Sequence, residues 1–383
     1  MKKKGNVPIV YIITKLELGG AQKVCLSLFQ ELEKKEHQTW LISGTEGSLV
    51  ATVKHLPNVI LLPSLTRECS WRTIGDEFRS FFAIRRELKK LKKTHPNLVV
   101  HTHSTKAGYL GRWAAFFAGI PQRIHTVHGF GFHDHQSRLG YAIAYLLELI
   151  TSSITTHYIC VSSKDQETGT RFLPRFSSKS SLIRAAINDE HFYPALSATQ
   201  FYEAQHFIFG TVSCFKKQKN LFDLLIAFEQ VYQLHPRARL EIIGDGYLRP
   251  DIEKWIASHN LEPAITLHGW RDDVASYMKH WHVFVMSSLW EGLPCAAVEA
   301  RFLKLPVLSY NVGGMSDLII SGKNGFLYEP RNIQQLAQGM NSLVANKTLY
   351  QKLKVYTEDL SAFTRNAMIL QHSLLYRYIT LSE

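Results

Sequence analysis

Short apolar segments alternate with longer amphipathic segments along almost the whole chain. The first half contains apolar runs from VPIVYIIT to THYICVS, and the second half continues the series from HFIFGTVS to LPVLSY. Between these runs lie segments whose apolar residues recur at helical spacing, such as AQKVCLSLFQELEKK and NLFDLLIAFEQVYQLH. Strands that alternate with helices in this way are typical of βαβ units, so the pattern predicts an α/β fold with parallel sheets.

The pattern also predicts two domains. A length of 383 residues favours two hydrophobic cores over one. A polar segment at 189–207, which contains Pro194, separates the two series and is interpreted as an interdomain linker. We expect two Rossmann-like, doubly wound domains at 1–192 and 205–358, with a last helix at about 359–383 returning to the first domain. Ligands bind at the carboxyl ends of the strands in such sheets, so the site is expected in a cleft between the domains.

Composition and cysteine spacing indicate the class of protein and its cellular compartment. Hydrophobic residues make up 45% of the chain and charged residues 20%, as in a globular protein. The five cysteines are far apart and odd in number, which favours a reducing compartment. The first apolar run is short and contains Pro8, and the run at 141–154 is interrupted by Glu148. We therefore expect a cytoplasmic protein without a signal peptide or a transmembrane helix.

The net charge of +12 raises the question of an anionic partner. Part of the excess lies in DEFRSFFAIRRELKKLKK, residues 76–93, where aromatic and leucine residues recur at helical spacing among basic ones. This segment predicts either a surface helix packed on a sheet with a solvated basic face, or a helix that docks on anionic lipid headgroups. No nucleic-acid-binding motif is present, so no nucleic-acid partner is expected.

The segment SSLWEGLPCAAVEA, residues 287–300, carries the most informative chemistry. It places Glu291 before a Gly-Leu-Pro turn and Glu299 eight residues further on. If a helix begins after the turn, its unpaired amides can hold a phosphate group, and the two carboxylates can each accept hydrogen bonds from a polyol. The alternative is a helix with two unrelated surface glutamates.

Several segments together resemble the retaining glycosyltransferases of family 4, which have the GT-B architecture. Beside residues 287–300, these segments are LELGGAQK, HTHSTKAGYLGR, HTVHGFGF, IIGDGYLRPDIE, LHGWRDDV and YNVGGMSDLIISGKNGFLYEP. The resemblance runs from about residue 8 to residue 330, and the shared order of the motifs is more specific than any one of them.

The resemblance implies a donor-binding site in the second domain. Glu291 is similar to the family glutamate that contacts hydroxyls of the donor sugar, and Glu299 to the one that holds the nucleotide ribose. The backbone of Gly292, Leu293 and Pro294 would lie beside the transferred sugar. Gly292 and Leu293 each have an amide N–H, and Pro294 has none. In the first domain, Gly19 and Gly20 match a glycine loop that lets the backbone approach the donor phosphate.

The segment TVSCFKKQKN matches the family segment that presents an arginine and a lysine to the diphosphate. Ser213 lies in this segment and is expected to bind the donor, and Lys219 matches the family lysine. Cys214 stands at the arginine position and supplies no charge. Lys216 or Lys217 is the expected substitute, and Lys216 is included in the expected donor site, although a lysine lacks the two-pronged geometry of arginine.

Histidines concentrate between residues 101 and 135. His101 and His103 would lie on one face of a strand, which raises the hypothesis of a metal site. No cysteine joins them, and the family resemblance implies catalysis without a metal or other cofactor. The same resemblance implies that His128 contacts the donor near its anomeric carbon, so His128 and Glu291 are the expected catalytic residues.

The resemblance thus implies a retaining, metal-independent transfer of a hexose from a nucleotide sugar, with UDP the first expectation, to give an α-glycoside. The basic helix and the segment GFGFHDHQSRLGYAIAYLLELI suggest a glycan or polyprenyl-linked acceptor and peripheral association with an anionic membrane at its cytoplasmic face. A core helix explains the aliphatic part of that segment as well. Two alternatives remain open: an epimerase of the same fold, and a relative that binds nucleotide sugar without transferring it.

Overall fold

The computed structural model describes residues 7–35, 37–66, 74–187, 192 and 205–381. Contacts divide the chain into two units. Unit 1 is Met1–Ala186 together with Arg365–Glu383, and unit 2 is Ile187–Thr364. Most of the predicted linker at 189–207 lies outside the described residues.

Unit 1 contains a parallel sheet with seven strands among its described residues. The strands are β1 (Pro8–Ile13), β2 (Gln38–Ser43), β3 (Val59–Leu61), β4 (Val99–His103), β5 (Gln122–Val127), β6 (His157–Cys160) and β7 (Ser180–Leu182). Their order in the sheet is β3-β2-β1-β4-β5-β6-β7. The order reverses between β1 and β4, as in a doubly wound sheet.

Helices cover the sheet of unit 1. They are α1 (Gly20–Lys34), α2 (Val50–Val53), α3 (Ile74–Thr94), α4 (Thr105–Phe117), α5 (Arg138–Ser152), α6 (Ser163–Phe172) and α14 (Arg365–Leu381). The side chains of β1 from Ile9 to Ile13 are completely buried, because a parallel sheet covered on both faces hides every side chain of a central strand. The apolar side of α3 supplies Ile84 and Leu88 to the same core.

Unit 2 repeats the architecture with six parallel strands among its described residues. The strands are β8 (Phe207–Val212), β9 (Ala238–Ile243), β10 (Ile265–Gly269), β11 (Val283–Met286), β12 (Val307–Tyr310) and β13 (Gly325–Tyr328). The helices are α7 (Leu221–Leu234), α8 (Arg249–Ser258), α9 (Val274–Met278), α10 (Cys295–Phe302), α11 (Met315–Leu318), α12 (Ile333–Ala345) and α13 (Lys347–Val355). The order β10-β9-β8-β11-β12-β13 reverses between β8 and β11.

The predicted α/β class with two doubly wound sheets is therefore confirmed. Each apolar run predicted as a strand contains one, but β7 and β13 were not predicted as strands. The helix predicted at 76–93 corresponds to α3. Some of its apolar residues pack on the core and others are exposed. Phe81 packs against the core, whereas Phe78 and Phe82 are about three-fifths exposed, so the interpretation of α3 as simply packed by its apolar face is incomplete.

Helix α14 belongs to unit 1 although its sequence follows unit 2. The hydroxyl of Tyr376 lies 2.5 Å from Nδ1 of His101 on β4 and 3.2 Å from the hydroxyl of Tyr11 on β1. The hydroxyl of Ser373 lies 3.0 Å from Nε2 of His37. Within the described part of the chain, no helix combines the length and the apolar character needed to span a bilayer.

Candidate functional site

The loops that follow β8 and β11 meet at the point where the strand order of unit 2 reverses. Lys219 lies after β8 and Glu291 after β11, and these two strands are neighbours in the sheet. Nζ of Lys219 and Oε1 of Glu291 are 2.5 Å apart and form an ion pair. Both side chains are largely buried, with 18% and 9% of their surface exposed. Loops at such a reversal form the ligand crevice of a doubly wound sheet, so the pair marks the candidate site.

Hydrogen bonds between the same two loops hold the pair in place. The backbone N–H of Leu289 donates to the carbonyl of Gln218 at 2.9 Å, and Nε2 of Gln218 donates to the carbonyl of Trp290 at 2.7 Å. The hydroxyl of Ser287 lies 2.9 Å from the carbonyl of Asn220. The backbones on both sides of the ion pair are therefore tied together independently of its charges.

A third loop, after β12, presses against the residues that follow Glu291. The N–H of Gly314 donates to the carbonyl of Gly292 at 2.5 Å. Gly313 has φ of +54°, and a Cβ placed on it would lie 2.2 Å from the carbonyl oxygen of Glu291. Only glycine fits this position, so the paired glycines of the sequence shape the loop that carries Glu291.

The Gly-Leu-Pro turn leads directly into α10, which begins at Cys295. Gly292, Leu293 and Pro294 are buried, and Pro294 stands at the N-cap position with no side-chain hydrogen bond. Glu299 lies inside α10 and is 7% exposed. The alternative of two unrelated surface glutamates is therefore wrong, since neither carboxylate lies on the open surface.

The loop after β8 places the other predicted residues of this site. The N–H of Ser213 donates to the carbonyl of Ile243 at 2.8 Å, and Ser213 is 7% exposed. Cys214 and Lys216 are both half-buried in the same loop. The structure thus puts Ser213, Cys214, Lys216 and Lys219 on one loop, and brings Lys219 into direct contact with Glu291.

Gly19 and Gly20 lie in unit 1, where Gly19 directly precedes α1 and Gly20 is its first residue. Gly19 is the N-cap residue of α1 and has φ of −127°, an extended conformation that any residue adopts. A Cβ on Gly19 would meet only the flexible side chain of Gln22 within van der Waals distance. The backbone conformation of Gly19 therefore does not require glycine, and the expected approach of this loop to a ligand stays a prediction.

His128 also lies in unit 1, directly after β5, and it is half-buried. Its Nε2 lies 3.0 Å from Nδ1 of the fully buried His103. Below this pair, the ring of His101 lies against that of His103 with centroids 4.4 Å apart. Nε2 of His101 lies 2.7 Å from the hydroxyl of Thr126, and its Nδ1 is close to Tyr376 as described above.

The buried histidines of unit 1 are neutral at pH 7. Burial, together with the nearby His372, lowers the pKa of His128 to about 3. Burial lowers the pKa of His372 to about 4 and those of His101 and His103 well below the usual value. Among the described residues, no three His, Cys, Asp or Glu side chains are grouped as metal ligands.

The sequence-based predictions considered His103 only as a metal ligand, and they did not assign a role to Gln218 or Ser287. A usable signal existed for His103, because it ends β4 next to the strand that leads into His128. Gln218 and Ser287 lie within the segments TVSCFKKQKN and SSLWEGLPCAAVEA, but their roles depend on two loops about 70 residues apart meeting in space, which no local pattern indicates.

Comparison with known proteins identifies the family of this chain. The family model described as Glycosyltransferase Family 4 matches residues 18–191, and that described as Glycosyl transferases group 1 matches residues 198–359. A UDP-Gal:alpha-D-GlcNAc-diphosphoundecaprenol alpha-1,3-galactosyltransferase from Escherichia coli is 31% identical over 341 residues, which are 87% of this chain and 86% of the relative.

Two solved structures share the fold over nearly their whole length. Sucrose-phosphate synthase from Thermosynechococcus elongatus has a TM-score of 0.82 at 22% identity, covering 99% of this chain and 100% of that chain. Anabaena HepE, solved in complex with UDP and glucose, has a TM-score of 0.79 at 18% identity, covering 97% of this chain and 99% of that chain.

The two doubly wound units define the fold as that of a GT-B glycosyltransferase. The match to the Escherichia coli enzyme and the two family models identify the family within this fold. This chain belongs to glycosyltransferase family 4, as its sequence motifs predicted.

Proposed function

We propose that this glycosyltransferase is a retaining hexosyltransferase. It takes a hexose from a UDP-sugar, passes it to a lipid-linked sugar or glycan acceptor, and forms an α-glycoside in bacterial-type polysaccharide or glycoconjugate assembly. The observation that supports the proposal is the Lys219–Glu291 ion pair at the strand reversal of unit 2. The name of the Escherichia coli relative gives the substrate classes, since it states a UDP-galactose donor, a diphosphoundecaprenol-linked acceptor and an alpha linkage.

The ion pair fits a donor that carries both a diphosphate and a polyol. A diphosphate offers Lys219 a doubly charged partner in place of one carboxylate, and the released Glu291 then accepts hydrogen bonds from sugar hydroxyls. Amides at the start of α10 and the side chain of Lys216 add positive potential for the same phosphates. The buried carboxylate of Glu299 suits the ribose, and Ser213 lies beside the phosphates.

In the proposed reaction, the bond between the anomeric carbon and the phosphate oxygen breaks, and its electron pair stays on that oxygen. The acceptor hydroxyl oxygen bonds to the anomeric carbon on the same face, and its proton moves to the departing phosphate. Lys219 stabilises the charge that develops on the diphosphate, so no protein nucleophile and no metal ion are needed. Gly19 and Gly20 of unit 1 allow backbone approach to the donor, and His128 orients the sugar.

The test is a transfer assay with the full-length protein. A panel of UDP- and GDP-hexoses is supplied together with a synthetic polyprenyl-diphosphate-linked N-acetylglucosamine, and nucleotide release and product are measured with and without EDTA. We expect product from a UDP-hexose, unchanged by EDTA, with an α-linkage in the proton NMR spectrum of the first-formed product. A β-linked product would refute retention, and nucleotide-sugar binding without any product would favour the non-transferring alternative.

Glu291→Gln tests the role of the ion pair in this reaction. We expect the turnover number to fall about 100-fold or more, because the neutral amide neither holds Lys219 in place nor accepts hydrogen bonds as strongly as a carboxylate. Glu262→Gln, at an exposed position of unit 2, is the matched control and should leave turnover unchanged. Near-normal turnover of Glu291→Gln would contradict the assigned role.

We also propose that helices α3, α4 and α5 form a face of unit 1 that docks on an anionic bilayer. Leu139, Ile143, Leu146, Leu147 and Ile150 form one stripe along α5, and each is between 43% and 71% exposed. The interpretation of this stripe as part of a core helix is therefore wrong. An exposed stripe of five aliphatic side chains is typical of a surface that contacts another apolar phase.

Contacts among the three helices make the face continuous. The rings of Phe81 on α3 and Phe117 on α4 lie edge to face with centroids 6.0 Å apart, and Trp113 of α4 donates to the hydroxyl of Thr151 on α5 at 3.1 Å. On α3, the side chains of Arg79, Arg86 and Lys90 are between 63% and 78% exposed. Apolar side chains flanked by exposed cations fit anionic headgroups better than a neutral protein surface.

Flotation with vesicles tests this docking and, with it, a location at the cytoplasmic face of a membrane. We expect binding to vesicles of anionic phospholipid that weakens with salt, and little binding to neutral vesicles. Leu146→Asp combined with Ile150→Asp should abolish flotation, whereas Leu234→Asp, at an exposed apolar position of unit 2, should not. Failure of the wild type to float with anionic vesicles at any salt concentration would reject the docking face.

A further inference from the structure

The hydrogen bond between His103 and His128 has a direction that the structure determines. His103 is the last residue of β4, and it is in register with Thr126 of β5, two residues before His128. Nδ1 of His103 and Nε2 of His128 are 3.0 Å apart. Because burial keeps both rings neutral, each carries one proton, and one ring donates to the other.

The other nitrogen of His103 distinguishes the two possible directions. Nε2 of His103 is buried and has no hydrogen-bond partner in the described structure. If His128 donated, His103 would have to carry its proton on this nitrogen, as a buried N–H without an acceptor. If His103 donates, the same nitrogen has only a lone pair. A buried N–H without an acceptor is the rarer and less favourable case, so His103 is the donor.

We propose that His103 is a positioning residue that holds His128 in the tautomer protonated on Nδ1. His128 then presents an N–H to an oxygen of the bound sugar, and it does not act as a base from that nitrogen. The proposal rests on the proposed function, in which His128 orients the donor sugar. It specifies what that function left open, namely which nitrogen of His128 faces the substrate and whether it donates or accepts.

The surroundings of the pair fit this assignment. Nδ1 of the half-buried His128 makes no hydrogen bond within the described residues, so its N–H is available to a ligand. On the other side, the ring of His101 supports the ring of His103 and is itself held at both nitrogens, by Thr126 and by Tyr376. The orientation of His103, and through it that of His128, is therefore fixed by β4, β5 and α14.

The decisive measurement is a long-range proton–nitrogen correlation spectrum of the protein labelled with ¹⁵N-histidine. We expect a neutral His128 ring with a protonated Nδ1 and an unprotonated Nε2, assigned by the loss of its signals in His128→Gln. A protonated Nε2 on His128 in the wild type would overturn the proposal. This measurement does not depend on a substrate, so it decides the tautomer even if the transfer assay yields no product.

Two substitutions of His103 separate positioning from simple packing. His103→Asn keeps an N–H close to the position of Nδ1, whereas His103→Leu fills a similar volume without a donor. We expect His103→Leu to lose about tenfold in turnover, the worth of one hydrogen bond, and to shift the His128 proton partly to Nε2. His103→Asn should retain the wild-type tautomer and most of the turnover.

A merely structural role predicts that both variants behave alike in the spectrum and in turnover, and that outcome would also overturn the proposal. If His103→Leu does not fold, as judged by its thermal melt, the wild-type spectrum and His103→Asn still decide. If the wild type transfers no sugar in the assay, the proposed function is refuted. The spectrum still determines the tautomer of His128 in that case.

Discussion

Acidification should destabilise the protein through the buried histidines of unit 1. His128, His372 and His157 have folded-state pKa values of about 3, 4 and 4, against an ordinary value of 6.5. Below pH 6.5 the unfolded chain therefore binds more protons than the folded one. Above pH 6.5 the titration of these groups leaves the free energy of unfolding unchanged. Below pH 6.5 the free energy of unfolding decreases as the pH falls towards their folded-state pKa values.

The size of the effect follows from these values. At about pH 5, each of the three side chains favours the unfolded state by roughly 2 kcal/mol, since one pKa unit corresponds to about 1.4 kcal/mol. Together they contribute roughly 6 kcal/mol, which is comparable with the whole stability of many proteins. The lowered pKa values of His101 and His103 act in the same direction.

The assay is urea unfolding at a series of pH values between about 7.5 and 5, followed by circular dichroism. Hydrogen exchange at both ends of the series should show the largest loss of protection in β4, β5, β6 and α14. His372→Gln removes one titrating group, so its free energy of unfolding should depend on pH less steeply, by about 1.4 kcal/mol per unit. A free energy of unfolding that stays constant or rises between pH 6.5 and 5 would refute the reasoning.

Three substitutions probe other features of the structure. Lys219→Met should reduce turnover about 100-fold or more and weaken UDP binding measured by calorimetry, because the cation that stabilises the leaving diphosphate is gone. Gly210→Ala should lower the free energy of unfolding by several kcal/mol in urea titrations, since its Cβ would lie 1.9 Å from a ring carbon of Trp281. Glu148→Gln should cost about 3–5 kcal/mol in the same assay, because it removes the charged partner of the fully buried Arg112, 2.8 Å away.

Each substitution has a control of the same chemistry at a less constrained position. Lys254→Met, on an exposed side chain of α8, should leave turnover close to normal. Gly75→Ala should not destabilise, since nothing lies within 4 Å of the added Cβ. Glu87→Gln breaks only ion pairs to exposed cations and should cost less than about 1 kcal/mol. A control that is affected as strongly as its partner would contradict the corresponding argument.

The strand pattern was predictable because buried parallel strands are continuous apolar runs. The two strands that were missed show the limit of this signal. Ser180–Leu182 is three residues long and half-buried, and Gly325–Tyr328 begins with a glycine, so neither resembles a buried strand in the sequence. Both are edge strands, which need fewer apolar residues because one side of each is unpaired.

The candidate site was predictable as a set of residue types but not as a geometry. The sequence indicated Lys219 and Glu291 separately, and their ion pair depends on β8 and β11 being neighbours in the sheet. The stripe on α5 shows the converse limit, because the same aliphatic residues suit a core or a surface. Glu148 and Thr151, which face α4, determine that the stripe points outward.

The place of α14 in unit 1 has a consequence for biosynthesis. Residues 365–381 are synthesised after unit 2, so the strands of unit 1 emerge from the ribosome long before the helix that supplies Tyr376 to His101. Until then Tyr11, His37 and His101 lack hydrogen-bond partners that they have in the finished protein. Unit 1 can therefore complete its fold only after α14 has been synthesised, and a chain truncated before residue 365 keeps an unfinished first unit although all its strands are present.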